Sequence, residues 1–202
     1  MDNYHYIITG LPELFPEFPA RQFSYEETAA SIREKLSRSD CRKIDWLEYG
    51  FDSSNLSRHF YHSVKRQKSI LLRDYFMLDK DLRNAAVMFV ASKDSKARAE
   101  KYLISPEEPS HLFDSSEIAE ILRMQDLMER ELAMDRYRWN RISDITTGHY
   151  FDIEVILGFL AKGLIVRRWL SLDSDSGAAL FRNYVDEIRG SFNKYANNQQ
   201  QI

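Results

Sequence analysis

The chain has 202 residues, 44% hydrophobic, 13% aromatic and 29% charged, with a formal net charge of -3. This content supports a sizeable core in one large domain or two small ones and excludes a disordered chain. The weak negative charge argues against a nucleic-acid binder. A lone cysteine, Cys41, excludes an intramolecular disulfide or a cysteine metal cluster and fits a reducing compartment.

The first residues lack a basic region and a long apolar run, so they do not read as a signal peptide. Tyr4 to Ile8 is aromatic and β-branched and reads as extended. Pro12, Pro16 and Pro19 keep the next segment out of helix. Residues 1–23 are thus an extended arm, anchored by Leu11, Leu14, Phe15 and Phe18 across a helical body.

Residues 24–104 read as a first helical unit. Ser24 and Glu27 match a capping box, starting a helix to about Leu36. Ser39 or Asp40 caps a short second helix through Trp46 and Leu47, which Gly50 stops. Asp52, Ser53 or Ser54 caps a third, carrying Leu56, Phe60 and Val64 and running with little break, kinked at 67–69, into a helix from Ile70 to Lys93. That last stretch has no Pro or Gly and sets charges within an apolar run.

Pro106 and Pro109 mark a loop. Residues 112–196 read as a second unit. Asp114 and Glu117 cap a long helix reaching Ile145, with a bend near Met124. Gly148 ends it in a left-handed position. A widely apolar helix comes next, from about Tyr150 to Leu170, whose Gly158 and Gly163 allow close packing. A final helix, capped within 173–176, carries Leu180, Phe181, Tyr184, Val185, Ile188 and Phe192, and residues 197–202 form a frayed tail. The fold class is an all-α bundle of long antiparallel helices. No window reaches the roughly 18 apolar residues of a membrane span, because Val155 to Leu164 is short and holds Lys162. The expectation is a soluble cytoplasmic protein.

The most informative pattern is an internal echo. Phe76 to Lys80 can be laid on Leu132 to Arg136, and with the same offset Asn84 falls on Asn140. Chance between two amphipathic helices explains much of this. A duplicated helical unit is the alternative, with Asp79 and Asp135 holding arginines of neighbouring helices in partly buried ion pairs that fix register. The candidate register set is Arg73, Asp79, Arg83, Asn84, Asp135, Arg138 and Asn140. The nearby arginines make salt bridging a better reading of these carboxylates than acid–base chemistry. His59 and His62 share a helix face, but no third metal ligand can be named. No Gly-rich phosphate loop or nucleophile elbow occurs. No catalytic residue, metal or cofactor is therefore expected. Lys65, Arg66 and Lys68, with Arg167 and Arg168, are candidate contacts for an acidic partner, although cations at a helix C-terminus are stabilising anyway.

The opening Tyr4-His5-Tyr6-Ile7-Ile8-Thr9-Gly10-Leu11-Pro12 resembles that of an uncharacterised bacterial family encoded among V-type (V/A-type) ATPase subunit genes. The blocks Leu72 to Phe76 and Asp81 to Asn84 look like its second block. Met134 to Arg136, Arg138 to Asn140 and Phe151 to Glu154 look like its third. That family is similar to the C (d) subunit of these ATPases, an all-α funnel of repeated helical units that couples the central stalk to the membrane rotor ring. The present chain is much shorter than a three-unit funnel, and two units plus an arm match its length better. The resemblance implies a non-catalytic structural or coupling subunit, with V-type ATPase subunits of the central stalk or rotor ring as partners. It also implies a cytoplasmic location, peripheral to the inner membrane through the complex. The alternative is a stand-alone helical module binding a small ligand or protein partner, with Tyr137, Trp139, Arg141 and the aromatic arm as contacts.

Overall fold

The computed structural model describes residues 4–16, 23–93, 98–104 and 109–171. Among these residues run eight α-helices and no strand: α1 (His5–Thr9), α2 (Tyr25–Arg33), α3 (Arg38–Phe51), α4 (Arg58–Val64), α5 (Ile70–Ser92), α6 (Ser115–Arg123), α7 (Leu127–Thr146) and α8 (Ile153–Ser171). Short 3-10 turns lie at Ser53–Asn55 and Ala99–Lys101. The protein is all-α, as its periodicity predicts. The expected last helix and frayed tail, with Phe18, Pro19 and Pro106, lie outside the described residues.

Side-chain oxygens start the helices. Ser24, Ser37, Ser57 and Ser69 accept from backbone amides at the heads of α2 to α5, as do Asp114 and Asp126 at α6 and α7. Asp152 accepts from the Glu154 amide at 3.1 Å, starting α8. Each satisfies a donor that the helix itself leaves unpaired. The head of α5 has a second acceptor: buried Glu154 of α8 takes the Ser69 hydroxyl and the Leu71 amide, both at 2.8 Å. Gly148 takes φ +86 after α7, the left-handed geometry its position predicts.

Six local expectations are corrected. Ser37, not Ser39 or Asp40, caps α3, and Ser57, not Asp52, Ser53 or Ser54, caps α4. Tyr4 to Ile8 is not extended, since α1 covers most of it, with Ile7 buried and the Ile8 amide on Tyr4 O at 3.0 Å. Five residues are too few to separate a period of two from one of 3.6. Gly50 does not stop a helix; it lies inside α3, where an added Cβ would come within 2.3 Å of the Phe76 ring and 2.6 Å of Phe60. The glycine is there for room. Between Val64 and Ile70 the kinked helix is instead a break, because Ser69 starts a new one. Likewise the bend near Met124 is a break, because Asp126 caps a separate α7.

Two apolar clusters form the interior. The larger surrounds α8, which touches α2, α3, α5 and α7. It takes Leu71, Leu72, Tyr75 and Phe76 from α5 and Trp139, Ile142 and Ile145 from α7. The smaller takes Leu78 and Leu82 from α5, Ile118 and Ile121 from α6, and Met134 and Tyr137 from α7. Early α5 thus meets late α7 and the reverse, so the two helices run antiparallel. The larger core draws on both predicted units. At Gly158 a Cβ would lie 2.6 Å from Thr146 Cγ2, so α7 and α8 approach more closely than a larger residue allows.

Candidate functional site

The charged side chains inside α5 and α7 meet where the two cores join. Asp79 and Asp135 are 6% and 2% exposed, so each charge requires partners. Asp79 accepts from Arg83 Nε and the Tyr61 hydroxyl of α4, both at 2.8 Å. Asp135 accepts from Arg138 Nη1 at 2.9 Å, Arg168 Nη2 at 2.6 Å and Trp169 Nε1 at 2.8 Å, the last two from α8. Arg138 Nη2 lies 4.0 Å from Asp79 and so bridges the two carboxylates electrostatically. Arg168 also reaches Glu131 at 3.2 Å. The network joins α4, α5, α7 and α8.

Its electrostatics are self-consistent. Burial works against the Arg138 charge, but Tyr75, Asp79 and Asp135 outweigh it and hold the guanidinium above its ordinary proton affinity. Arg83 is raised against its burial chiefly by Asp79. Burial, reinforced by Asp79, pushes the Tyr61 hydroxyl well up. Arg138, Arg83 and Tyr61 therefore keep one protonation state across the physiological range.

The other expected residues separate. Arg73 pairs with adjacent Asp74 at 2.8 Å rather than with a second helix. Asn84 bonds the backbone of Ile104 twice, at 3.0 and 2.8 Å, holding the segment after α5. Asn140 is exposed, so the echo is met at the Asp positions and lost at the Asn positions. Lys65, Arg66 and Lys68 are exposed between α4 and α5. Arg167 pairs with Glu26 at 3.1 Å and covers the Tyr25 ring. The Tyr137 hydroxyl donates to Leu112 O at 2.8 Å and accepts from the Asp114 amide at 2.9 Å, which ties it to the turn before α6. Arg141 stacks on that ring and pairs with Glu117 and Asp144. Lys162 lies over Trp139.

His59 and His62 are both exposed on α4, and among the described residues no group of three or more His, Cys, Asp or Glu side chains is placed to hold a metal. No described helix is long and apolar enough to cross a membrane.

Sequence reasoning missed three features. Glu154 at the head of α5 is one; its signal was being the one carboxylate of the widely apolar α8. Another is Asp40, buried at the head of α3, which takes the Tyr4 hydroxyl, Lys43 Nζ at 2.6 Å and the Ser37 hydroxyl at 3.0 Å. The third is a cleft of about 550 Å³ beside the network, lined among others by Tyr75, Arg83, Arg138 and Arg168.

A family model described as a protein of unknown function (DUF2764) matches residues 1–63 and 106–191, most of the chain, and the chain belongs to that family. The matched segments include α7 and α8 and leave out α5. No curated protein and no solved structure matches the chain.

Proposed function

We propose that this DUF2764 chain is a non-catalytic helical coupling or adaptor subunit of a V-type ATPase, acting at the central stalk or rotor ring. The observation that carries the mechanical part is the network of Asp79, Arg138, Asp135 and Arg168. It spends the buried charges on joining four helices. Apolar packing resists separation of helices but tolerates sliding; directional charge-assisted bonds oppose sliding as well. A body pinned in this way transmits torque or holds a spacing without bond chemistry of its own. The choice of complex is supported by the resemblance of the opening block and the two helical blocks to the family encoded with V-type ATPase subunits. On this reading the exposed Lys65, Arg66 and Lys68 meet an acidic face of a neighbouring subunit.

The test is affinity purification of the tagged chain from its native cell. Recovery of rotary ATPase subunits, reduced by replacing Lys65, Arg66 and Lys68 with Gln, is the expected result. A purification that recovers none of them sinks the proposal.

A further inference from the structure

Two of the three tryptophans lie under cations of the chain itself. Lys162 Nζ is 5.0 Å from the Trp139 ring centre, and the Arg168 guanidinium is 5.6 Å from that of Trp169. The third, Trp46 of α3, has no cation over it among the described residues. It lines instead a cleft of about 300 Å³, with Tyr49 from the same face of α3 and Phe60 from α4. The ring centres stand 6.4 Å apart for Trp46 and Tyr49, 6.0 Å for Trp46 and Phe60, and 5.9 Å for Tyr49 and Phe60, and no pair is parallel. Phe60 is 3% exposed and forms the base, while Tyr49 is 50% exposed and forms a rim.

The charge beside these rings is negative. Asp45 is the one carboxylate in the described lining, and no lysine or arginine joins it. Arg33 is shared between Asp45 at 2.6 Å and Glu48 at 2.8 Å, so one cation serves two carboxylates. Asp45 gives one oxygen to Arg33 and is well exposed, which leaves its second oxygen open.

Aromatic faces attract cations through the ring quadrupole, most strongly where water is excluded. A cation with N–H groups also needs acceptors, and rings replace its lost water poorly. A quaternary ammonium has no N–H to satisfy, and its methyl groups pack on rings as other apolar groups do. The volume lies at the small end for ligand sites and suits a headgroup of this size. We propose that the cleft of Trp46, Tyr49 and Phe60 binds the quaternary ammonium group of a small organic cation, with Asp45 beside the charge. This inference stands apart from the proposed role in an ATPase.

The experiment is a nuclear magnetic resonance titration of the nitrogen-15-labelled full chain with three probes. They are choline, its uncharged isostere 3,3-dimethylbutan-1-ol, and ethanolamine, which keeps the charge but carries N–H groups. Trp46→Leu identifies the Trp46 indole signal by its loss. Choline is expected to move that signal saturably, to leave those of Trp139 and Trp169 in place, and to bind at least about 5-fold more tightly than either other probe. Tyr49 is half-exposed, so Tyr49→Leu keeps the fold; it is expected to weaken choline about 3- to 10-fold, the worth of one ring facing a cation. Asp45→Asn should weaken choline about 2- to 5-fold and leave the alcohol unchanged. The proposal is overturned if choline does not move the Trp46 signal saturably at millimolar concentration, if the alcohol or ethanolamine binds as tightly as choline, or if Tyr49→Leu leaves the choline affinity unchanged.

Discussion

The two halves of α5 have similar apolar content and different surroundings. Leu71, Leu72, Tyr75 and Phe76 are sunk in the core around α8, at most 4% exposed. Beyond Asp79 the helix enters the smaller core with α6 and α7, and further on Met88 and Val90 are 53% and 67% exposed. Intrinsic helix preference does not distinguish these halves. What differs is how many neighbouring helices can wrap each one, and the ionic joint stands at the crossover. An apolar stripe supplies adhesion wherever a partner exists; the charges bond particular turns of one helix to particular turns of the next.

Asp135→Ala should have the largest effect. It removes the buried acceptor that Arg138, Arg168 and the Trp169 indole share, at a cost of about 3–5 kcal/mol in urea unfolding, the range for breaking a buried pair. A loss below about 1 kcal/mol would remove the joint from the comparison. Truncations in the two cores come next. Leu157→Ala, in a fully buried position of the larger core, should cost about 4 kcal/mol, and Leu82→Ala in the smaller core about 2–3 kcal/mol. Hydrogen exchange sharpens the contrast: Leu82→Ala should speed exchange in α6 and late α5 before α8, and uniform acceleration would merge the two cores into one cooperative unit.

Smaller still is Gly50→Ala. It forces the Phe76 and Phe60 rings aside in the larger core, costing about 1–3 kcal/mol, readable as a lower thermal midpoint. The smallest effect is expected at the arm. Burial opposes the Asp40 charge, but bonds from Lys43, Tyr4 and Ser37 outweigh it and hold the carboxyl below its ordinary value. A folded value below the unfolded one, about 3.9, stabilises the protein fully above that pH and less as pH falls through the folded value. Asp40→Asn should therefore cost about 1–2 kcal/mol near neutrality, and the gap to the unsubstituted protein should close in acid. A gap that persists at pH 2 would assign the cost to packing instead.

Much of this architecture is legible in the sequence. The bounds of α5, the caps at Ser24 and Asp114, and the left-handed Gly148 come from local rules. So does the pairing of Asp79 and Asp135 with arginines, because buried carboxylates need cations. Local rules do not reveal which cation. Arg73 satisfies itself on Asp74, whereas Asp135 takes Arg168 from a helix more than thirty residues away. Glycine is equally ambiguous from sequence, since Gly50 gives room within a helix and Gly148 turns the chain after one. The cleft beside the network was out of reach because it is made by residues from α2, α3, α5, α7 and α8 that share no sequence spacing.

The acceptor at the head of α5 has a consequence for the order of assembly. Glu154 lies 83 residues after Leu71 and 85 after Ser69. On the ribosome, which adds about 5–20 residues per second, the first turn of α5 is therefore made several seconds before the carboxylate that completes it. The most buried half of α5 waits for α8, and the larger core closes only when the chain has been made at least that far.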